Sequence, residues 1–340
     1  MNIKDIKQLA VCGIAMALVL LLAGCSKQTA VSAANKGDLE KLTFNYLGTP
    51  GTVTPLELAE DLGYLAPIKL NYQGVSIGGP QGIQSALQGD SDISSQAFVG
   101  SVIKMVASGA PGTAVIAAYG TFKDLYSGYY VLDDSPIKSA RDLIGKKVAT
   151  NIMGAQVEYM FRDYLKRGGL TPQEISQVTL IVVPPGTGEQ ALRQHHVDVA
   201  PLYGPAIDRG GVRRLFQDYD HFGDLITGAY VMSNRYIAAN PNTSRKVVGG
   251  IAQAFEWSRS HPKEEVIARM KEIIKKRNRG ENDAMVKYWN GWGIPTTGGQ
   301  FNDHEFQIWI DWLVNDGQFK QGLVTPKKVY SNAYNPYANK

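Results

Sequence analysis

The sequence predicts an α/β protein of two similar lobes, and three observations predict it. From Leu42 onward, short β-branched or aromatic runs alternate with amphipathic segments, the mark of a sheet flanked by helices. That series restarts after Tyr129-Tyr130-Val131-Leu132. A short pattern also recurs: Ala86-Leu87-Gln88 leads through a turn to Asp92-Ile93, and Ala191-Leu192-Arg193 leads through a turn to Asp198-Val199. At about 150 residues per domain, 340 residues accommodate two such units. A hydrophobic content of 44% and a net charge of only +4 exclude a disordered chain and give no footing to a dedicated nucleic-acid binder.

The elements follow in order. Leu42–Leu47 reads as a strand, and Thr54, Pro55 and Glu57 then form a capping box with proline where its missing N–H is harmless. Ile68–Tyr72 is a second strand, followed by a Gly-rich turn and a helix through Leu87. A short strand at Asp92-Ile93-Ser94, a helix from about Ala97 to Ala107 and a strand at Ala114–Ala118 complete the first series. In the second, Ser139 and Asp142 cap a short helix and Lys147–Thr150 is a strand. A long helix from about Ala155 to Arg167 then stops at Gly168-Gly169. Thr171-Pro172-Gln173-Glu174 is another capping box, Val178–Val183 a strand, Glu189–Gln194 a helix and Val197–Ala200 a strand. Gly228–Ser233 reads as a strand returning the chain to the first unit. The portion after Pro241 reads as mainly helical and carries Trp257, Trp289, Trp292, Trp309 and Trp312, residues expected in core positions.

The N-terminus points to export. Lys4 and Lys7 precede an apolar run from Leu9 to Leu22, too short at about 14 residues to span a bilayer as a permanent helix. Leu22-Ala23-Gly24-Cys25 resembles the bacterial lipobox, in which the cysteine, the strongest side-chain nucleophile available, takes a diacylglyceryl group. The polar, small-residue stretch from Ser26 to Asp38 reads as a tether. Cys12 and Cys25 are the two cysteines, so the body of the chain holds neither a disulfide framework nor a cysteine metal site.

No catalytic constellation emerges. The five histidines, at 195, 196, 221, 261 and 304, lack metal-ligand spacing, and His195-His196 read as a solvated turn. There is no G-x-S-x-G elbow and no Walker sequence. Gly186-Thr-Gly188-Glu-Gln-Ala191 fits a dinucleotide pattern, but Pro184-Pro185 breaks the tight turn it needs. The basic segment Lys271–Arg279 carries apolar residues at helical spacing and reads as an exposed helix face. No cofactor and no metal are expected.

A binding site is expected instead where ligands meet open α/β sheets, beyond the C-terminal ends of the strands. Those loops are Gly48–Thr52, Ser76–Pro80, Ser94–Gln96, Ile152–Gln156 and Tyr203–Pro205, rich in Gly, Ser, Thr and Gln and without Lys or Arg. Several open helices and so offer free N–H groups to an anion. The candidate ligand-binding residues are Thr49, Thr52, Ser76, Ser94, Ser95, Gln96, Met153, Gly154, Ala155 and Tyr203, with Cys25 as the lipidation site.

The stretches Ala86–Phe98, Asp134–Leu170 and His195–Arg209 resemble the solute-binding proteins of ABC importers, in the sulfonate/nitrate/taurine-binding family with its relatives for thiamine-pyrimidine precursors. The resemblance implies a two-lobed type II periplasmic binding protein, each lobe a sheet flanked by helices, with two hinge crossings and a cleft that closes on ligand. It implies binding roles for Ser94, Ser95 and Gln96 in the first lobe and for Met153, Gly154 and Ala155 in the second. Where the family often has Trp-Asp-Pro, this chain has Tyr203-Gly204-Pro205, and it lacks the Cys-rich run of the pyrimidine-synthesising relatives. The expected organisation is a signal peptide over 1–24, a tether over 25–41, lobe I over 42–130 with 229–340, and lobe II over 131–228. Hinges are expected near Ser127–Leu132 and Gly228–Ser233. The expected function is capture of a small organic anion by a lipid-anchored monomer outside the cytoplasm of a bacterium, for delivery to a membrane permease. The alternatives are a neutral heterocycle as ligand and an exported enzyme on the same fold.

Overall fold

The computed structural model describes residues 38–338 apart from 77, 126 and 185; the signal peptide, Cys25, most of the tether and Pro185 lie outside the described residues. The first series comprises β1 (Thr43–Gly48), α1 (Pro55–Asp61), β2 (Lys69–Val75), α2 (Gly79–Gln88), β3 (Ser94–Phe98), α3 (Val99–Ala107) and β4 (Gly112–Thr121). The second comprises β5 (Ser127–Leu132), β6 (Lys147–Thr150), α4 (Gln156–Arg167), α5 (Pro172–Ile175), β7 (Thr179–Val182), α6 (Gly188–Arg193), β8 (Ala200–Tyr203), α7 (Pro205–Asp208), β9 (Val212–Phe216) and α8 (Tyr219–Phe222). The chain returns through β10 (Leu225–Ser233) into α9 (Asn234–Ala239), α10 (Pro241–Ser260) and α11 (Lys263–Arg277). The tail ends with α12 (Asp303–Asn315) and α13 (Pro326–Val329).

The two halves share one strand order. In the first, parallel β1 and β2 join through a Tyr46–Ile93 bridge to an antiparallel set ordered β3-β10-β4. In the second, parallel β6 and β7 join through a Val148–Val199 bridge to an antiparallel set ordered β8-β5-β9. Each sheet thus borrows one inner strand from a crossing: β10 belongs to the first sheet and β5 to the second. The residues expected as hinges, 127–132 and 228–233, are therefore paired strands, and the chain changes sheet after Thr121, where β4 ends, and after Phe216, where β9 ends.

The recurring Asp motif has a common geometry. Asp92 receives the backbone N–H of Asn45 on Oδ2 at 2.7 Å, and its own N–H donates to Asn45 O at 2.9 Å. Asp198 receives the N–H of Lys147 on Oδ2 at 2.8 Å, and its own N–H donates to Lys147 O at 2.8 Å. In both halves the aspartate locks the start of the inner parallel strand to the incoming one, satisfying donors that a sheet end would leave unpaired.

Local signals in the sequence hold at atomic level. Thr54 and Glu57 form the capping box of α1, and Thr171 and Glu174 form that of α5. His195 and His196 lie exposed in a turn. At the end of the tether, Glu40 accepts the Asn242 and Thr243 N–H groups at the start of α10, and Lys41 reaches Asp92 at 2.7 Å, fixing the entry into β1. The main core runs from Phe44, Leu56 and Ile93 through Tyr230 and Phe255 to Trp309. A smaller cluster of Tyr130, Ala149, Leu192, Val197 and Leu202 covers the other face of the second sheet.

Candidate functional site

At the first sheet, three of the expected loops converge. The Ser76 N–H donates to Gly48 O at 2.8 Å, and Ser95 Oγ donates to Leu47 O at 3.2 Å, so Thr49, Ser76 and Ser94–Gln96 stand side by side. Gly79 packs so close to β3 that a Cβ there would lie 3.0 Å from Gln96 O. Ser76, Ser94 and Ser95 are buried, and the hydroxyl oxygens of Thr49 and Ser94 are buried without a hydrogen-bond partner. Buried polar atoms without a partner call for one, which a bound water or ligand can supply.

Thr52 is tied elsewhere. Its hydroxyl donates to Thr49 O at 3.1 Å and its carbonyl accepts from Arg277 at 2.8 Å, while the Gly51 N–H goes to Glu281 at 2.6 Å. Arg277 sits between Glu57, at 2.7 Å, and Glu281. Of the segment read as an exposed basic face, Lys271, Lys275 and Lys276 are exposed, but Arg277 and Arg279 turn inward because buried acids and tyrosines await them. Arg279 lies over the Tyr72 ring at 3.6 Å, donates to the Tyr46 hydroxyl at 2.7 Å and stands 3.6 Å from Glu57. Burial and the neighbouring Glu57 charge push Tyr46 well above the ordinary phenol range, so it stays neutral. The loops contain no cation of their own; the tail supplies one.

From the second sheet, the loop before α4 meets the first set. A Cβ on Gly78 would stand 2.9 Å from Ile152, and one on Gly154 would stand 3.9 Å from Pro80. Gly154 donates its N–H to Glu158 at 2.7 Å and accepts the Ser101 hydroxyl at 2.6 Å. Met153 is exposed and Ala155 buried; Met153 and Gly154 line a pocket of about 360 Å³ that also touches Lys104, Arg162 and Trp312. Another cavity, of about 440 Å³, lies among Phe255, His261, Trp289 and Trp292 and includes none of the expected loop residues.

Tyr203, at the end of β8, is 51% exposed, yet surrounding protein raises its phenol to about 12. Asp218, between β9 and α8, shares this environment. It accepts from Gln156 Nε2 on Oδ2 at 2.8 Å, while its Oδ1 is buried without a hydrogen-bond partner. Burial lifts its carboxyl to about 6, against the opposing pull of Gln156, His221 and Tyr129. Tyr119 and Tyr129 feel the same negative charge. The Tyr119 ring packs against β10 where Gly228 leaves room; a Cβ there would fall 2.1 Å from the ring.

The structure therefore brings Thr49, Ser76, Ser94, Ser95 and Gln96 together, sets the loop of Met153, Gly154 and Ala155 against them, and holds Tyr203 in the Asp218 cluster. Asp218, Tyr119, Tyr129 and Arg279 were not anticipated from sequence. Gln156 lay within an expected loop, and its amide is the one signal leading to Asp218. Among the described residues no group of three His, Cys, Asp or Glu side chains is placed to hold a metal, and no helix is long and apolar enough to cross a membrane.

Sheets of this order, with strand-end loops from both facing one another, define a two-lobed binding-protein architecture. The chain belongs to the NMT1/THI5-like family, whose model matches residues 52–265. A Brucella abortus (strain 2308) protein with a provisional binding-protein name is 25% identical over 142 residues, 40% of this chain and 43% of that one, so the match spans less than half of the curated relative. Among solved structures, the alkanesulfonate-binding protein SsuA of Xanthomonas axonopodis pv. citri, bound to MOPS, superposes with a TM-score of 0.65 at 18% identity, covering 86% of this chain and 98% of that one. The nitrate-binding protein NrtA of Synechocystis PCC 6803 gives 0.64 at 17%, covering 87% and 88%. The desulfurization enzyme DszB gives 0.57 at 13%, covering 86% and 97%. These likenesses establish the fold, that of the type II periplasmic binding proteins, and the same fold serves binding proteins and at least one enzyme.

Proposed function

We propose that this chain is the solute-binding component of an ABC importer, working outside the cytoplasm and held to the membrane through lipid on Cys25. The observation that carries the reading is the meeting of strand-end loops from the two sheets: buried, unpartnered hydroxyls of Thr49 and Ser94 on one side, the loop before α4 on the other. Lobe I is taken as 42–130 with 229–340 and lobe II as 131–228, with closure driven by a ligand that binds the closed arrangement better. The protein acts by binding rather than catalysis, as a monomer that docks on permease subunits.

The ligand in this reading is a small organic anion of sulfonate, nitrate or aromatic carboxylate type. Hydroxyl and backbone N–H donors suit a single negative charge, and Arg279 adds a cation partly offset by Glu57. The buried carboxylate of Asp218 favours a second reading, a neutral heterocycle whose N–H groups need an acceptor. Thermal-shift measurement of the mature domain against sulfonates, nitrate, aromatic carboxylates and pyrimidines separates the two. A ligand at 100 times its Kd adds about 2.7 kcal/mol of stability. Silence with every class would remove the transport reading.

Two variants bear on this function. Ser95→Ala combined with Gln96→Ala is expected to weaken binding of the responding ligand at least about tenfold, because each removes a polar contact worth roughly 0.5–1.5 kcal/mol. Unaltered affinity in a folded double variant would put the cleft elsewhere. Cys25→Ala is expected to move the protein from the membrane to the soluble fraction; unchanged fractionation would refute the lipid anchor.

A further inference from the structure

We infer that Tyr288 is a positioning residue of the cleft: reaching out from the tail of lobe I, it holds the Tyr203-Gly204-Pro205 loop of lobe II and stabilises the closed arrangement of the two lobes. The inference rests on the lobe division and ligand-binding reading above and adds the tail to both. Tyr288 ends the single helical turn Val286–Tyr288, and the chain around that turn is fixed to lobe I. Val286 is buried, and the Asn290 side-chain oxygen accepts from Lys263 of α11 at 3.1 Å. The Trp292 indole N–H donates to Ser258 of α10 at 3.1 Å, and Trp292 O accepts the Gly120 N–H of β4 at 2.9 Å.

Lys287 and Tyr288 reach the other way. The Tyr288 ring lies on Gly204, where a Cβ would fall 2.6 Å from its Cδ2 and 2.9 Å from its Cγ. The Tyr288 hydroxyl donates to Asp208 Oδ2 at the end of α7, and Lys287 Nζ stands 3.4 Å from the same oxygen. Gly204 has a φ of 41°, so glycine serves both the turn and the ring. It stands where the Trp-Asp-Pro pattern noted above has its acid, and the Tyr288 ring takes the room a side chain there would need. Gly204 also separates Tyr203, an expected ligand-binding residue, from Pro205 at the start of α7, so gripping it from lobe I fixes where Tyr203 stands. The contact is breakable: Asp208 is 43% and Lys287 58% exposed, and an exposed pair of this kind is made and lost at little cost. It is separate from the Ser101–Gly154 hydrogen bond, which joins the same two lobes through other loops.

The test is the inter-lobe distance in the full-length protein without ligand. Spin labels on Gln84→Cys in α2 and Gln173→Cys in α5, both exposed positions, report it by double electron–electron resonance in a chain that also carries Cys12→Ser and Cys25→Ser. A measurable closed population is expected. Tyr288→Ala should lower the closed-to-open ratio at least about threefold, as loss of one net hydrogen bond implies. Tyr288→Phe keeps the ring on Gly204 but not the bond to Asp208, and Asp208→Ala removes the acceptor, so both should fall between. A protein found only open, or a ratio that Tyr288→Ala leaves unchanged, overturns the inference. Rates separate positioning from a merely structural role. Stopped-flow tryptophan fluorescence uses whichever of ethanesulfonate, nitrate, benzoate or pyrimidine raises the unfolding temperature of the unsubstituted protein. With it, Tyr288→Ala should speed dissociation at least about threefold and leave association within about twofold. Slower association with unchanged dissociation would count against the inference. If Tyr288→Ala does not fold, Tyr288→Phe and Asp208→Ala carry the same comparison. Silence with all four compounds would remove the transport reading, while the label distances would still decide whether Tyr288 holds the lobes.

Discussion

Arg277→Ala should lower the unfolding free energy by about 3–5 kcal/mol, the range expected when one member of a buried ion network is removed. The Arg277 side chain is only 9% exposed and lies between two carboxylates that are also buried, Glu57 at 4% and Glu281 at 6%. Its guanidinium donates to both acids and to Thr52 O, a forked arrangement that no ammonium reproduces. Alanine would leave both acids inside the protein with less compensation. Other groups soften the loss: the Tyr46 hydroxyl and the Thr54 N–H still donate to Glu57 at 2.8 and 2.9 Å, Arg279 stays 3.6 Å from it, and the Gly51 N–H still donates to Glu281 at 2.6 Å. Arg277→Lys keeps the charge and loses the fork, so an intermediate loss is expected. Urea unfolding of the three proteins measures this, and a loss below about 1 kcal/mol for alanine would mean that the network is a surface feature. The same network pins residues 49–52, so ligand affinity should fall in parallel with stability.

That network also shows which parts of the molecule were legible in the sequence. The capping boxes at Thr54 and Thr171 were readable because each is complete within four residues, and the Asp92 and Asp198 motifs because each follows its helix after a short turn, of three residues in one and four in the other. The three loops of the first sheet were located by the rule that ligands gather at strand ends, and they do stand together. β9 was missed: Val212-Arg213-Arg214-Leu215-Phe216 is too polar to announce a strand. Yet Arg213 spends its guanidinium on the Ser135 and Ile137 carbonyls, and Arg214 lays its stem across Gly128. Missing β9 meant missing Asp218, which follows directly. Arg277 and Arg279 were misjudged for a different reason. Helical periodicity assigns a face but cannot see acids and tyrosines that arrive from over 200 residues away.

Trp309→Ala should be comparably severe, costing about 3–5 kcal/mol as a large aromatic truncated in a core. Trp309 is fully buried and its ring meets Phe98 at 4.9 Å, Phe222 at 5.1 Å and Tyr159 at 6.3 Å. Those partners come from the end of β3, from α8 and from α4, so one side chain of the tail joins the first sheet to two helices of the second half. Lys166 reinforces the junction, pairing with Asp316 and lying 4.3 Å from the Trp312 ring. The indole N–H of Trp309 has no acceptor, so Trp309→Phe removes an unsatisfied donor along with some contact area. Its expected loss is under about 1.5 kcal/mol. The pair of variants therefore separates packing from polarity in one thermal-unfolding experiment. Phe98 lies two residues beyond Gln96 and Phe222 four beyond Asp218, so the cavity left by alanine would open beside both sides of the candidate site. A drop in ligand affinity for Trp309→Ala, with affinity kept in Trp309→Phe, would make α12 part of the machinery that holds the two lobes in register. A stability loss below about 1 kcal/mol for Trp309→Ala, far short of a core truncation, would instead make the tail a satellite of the fold.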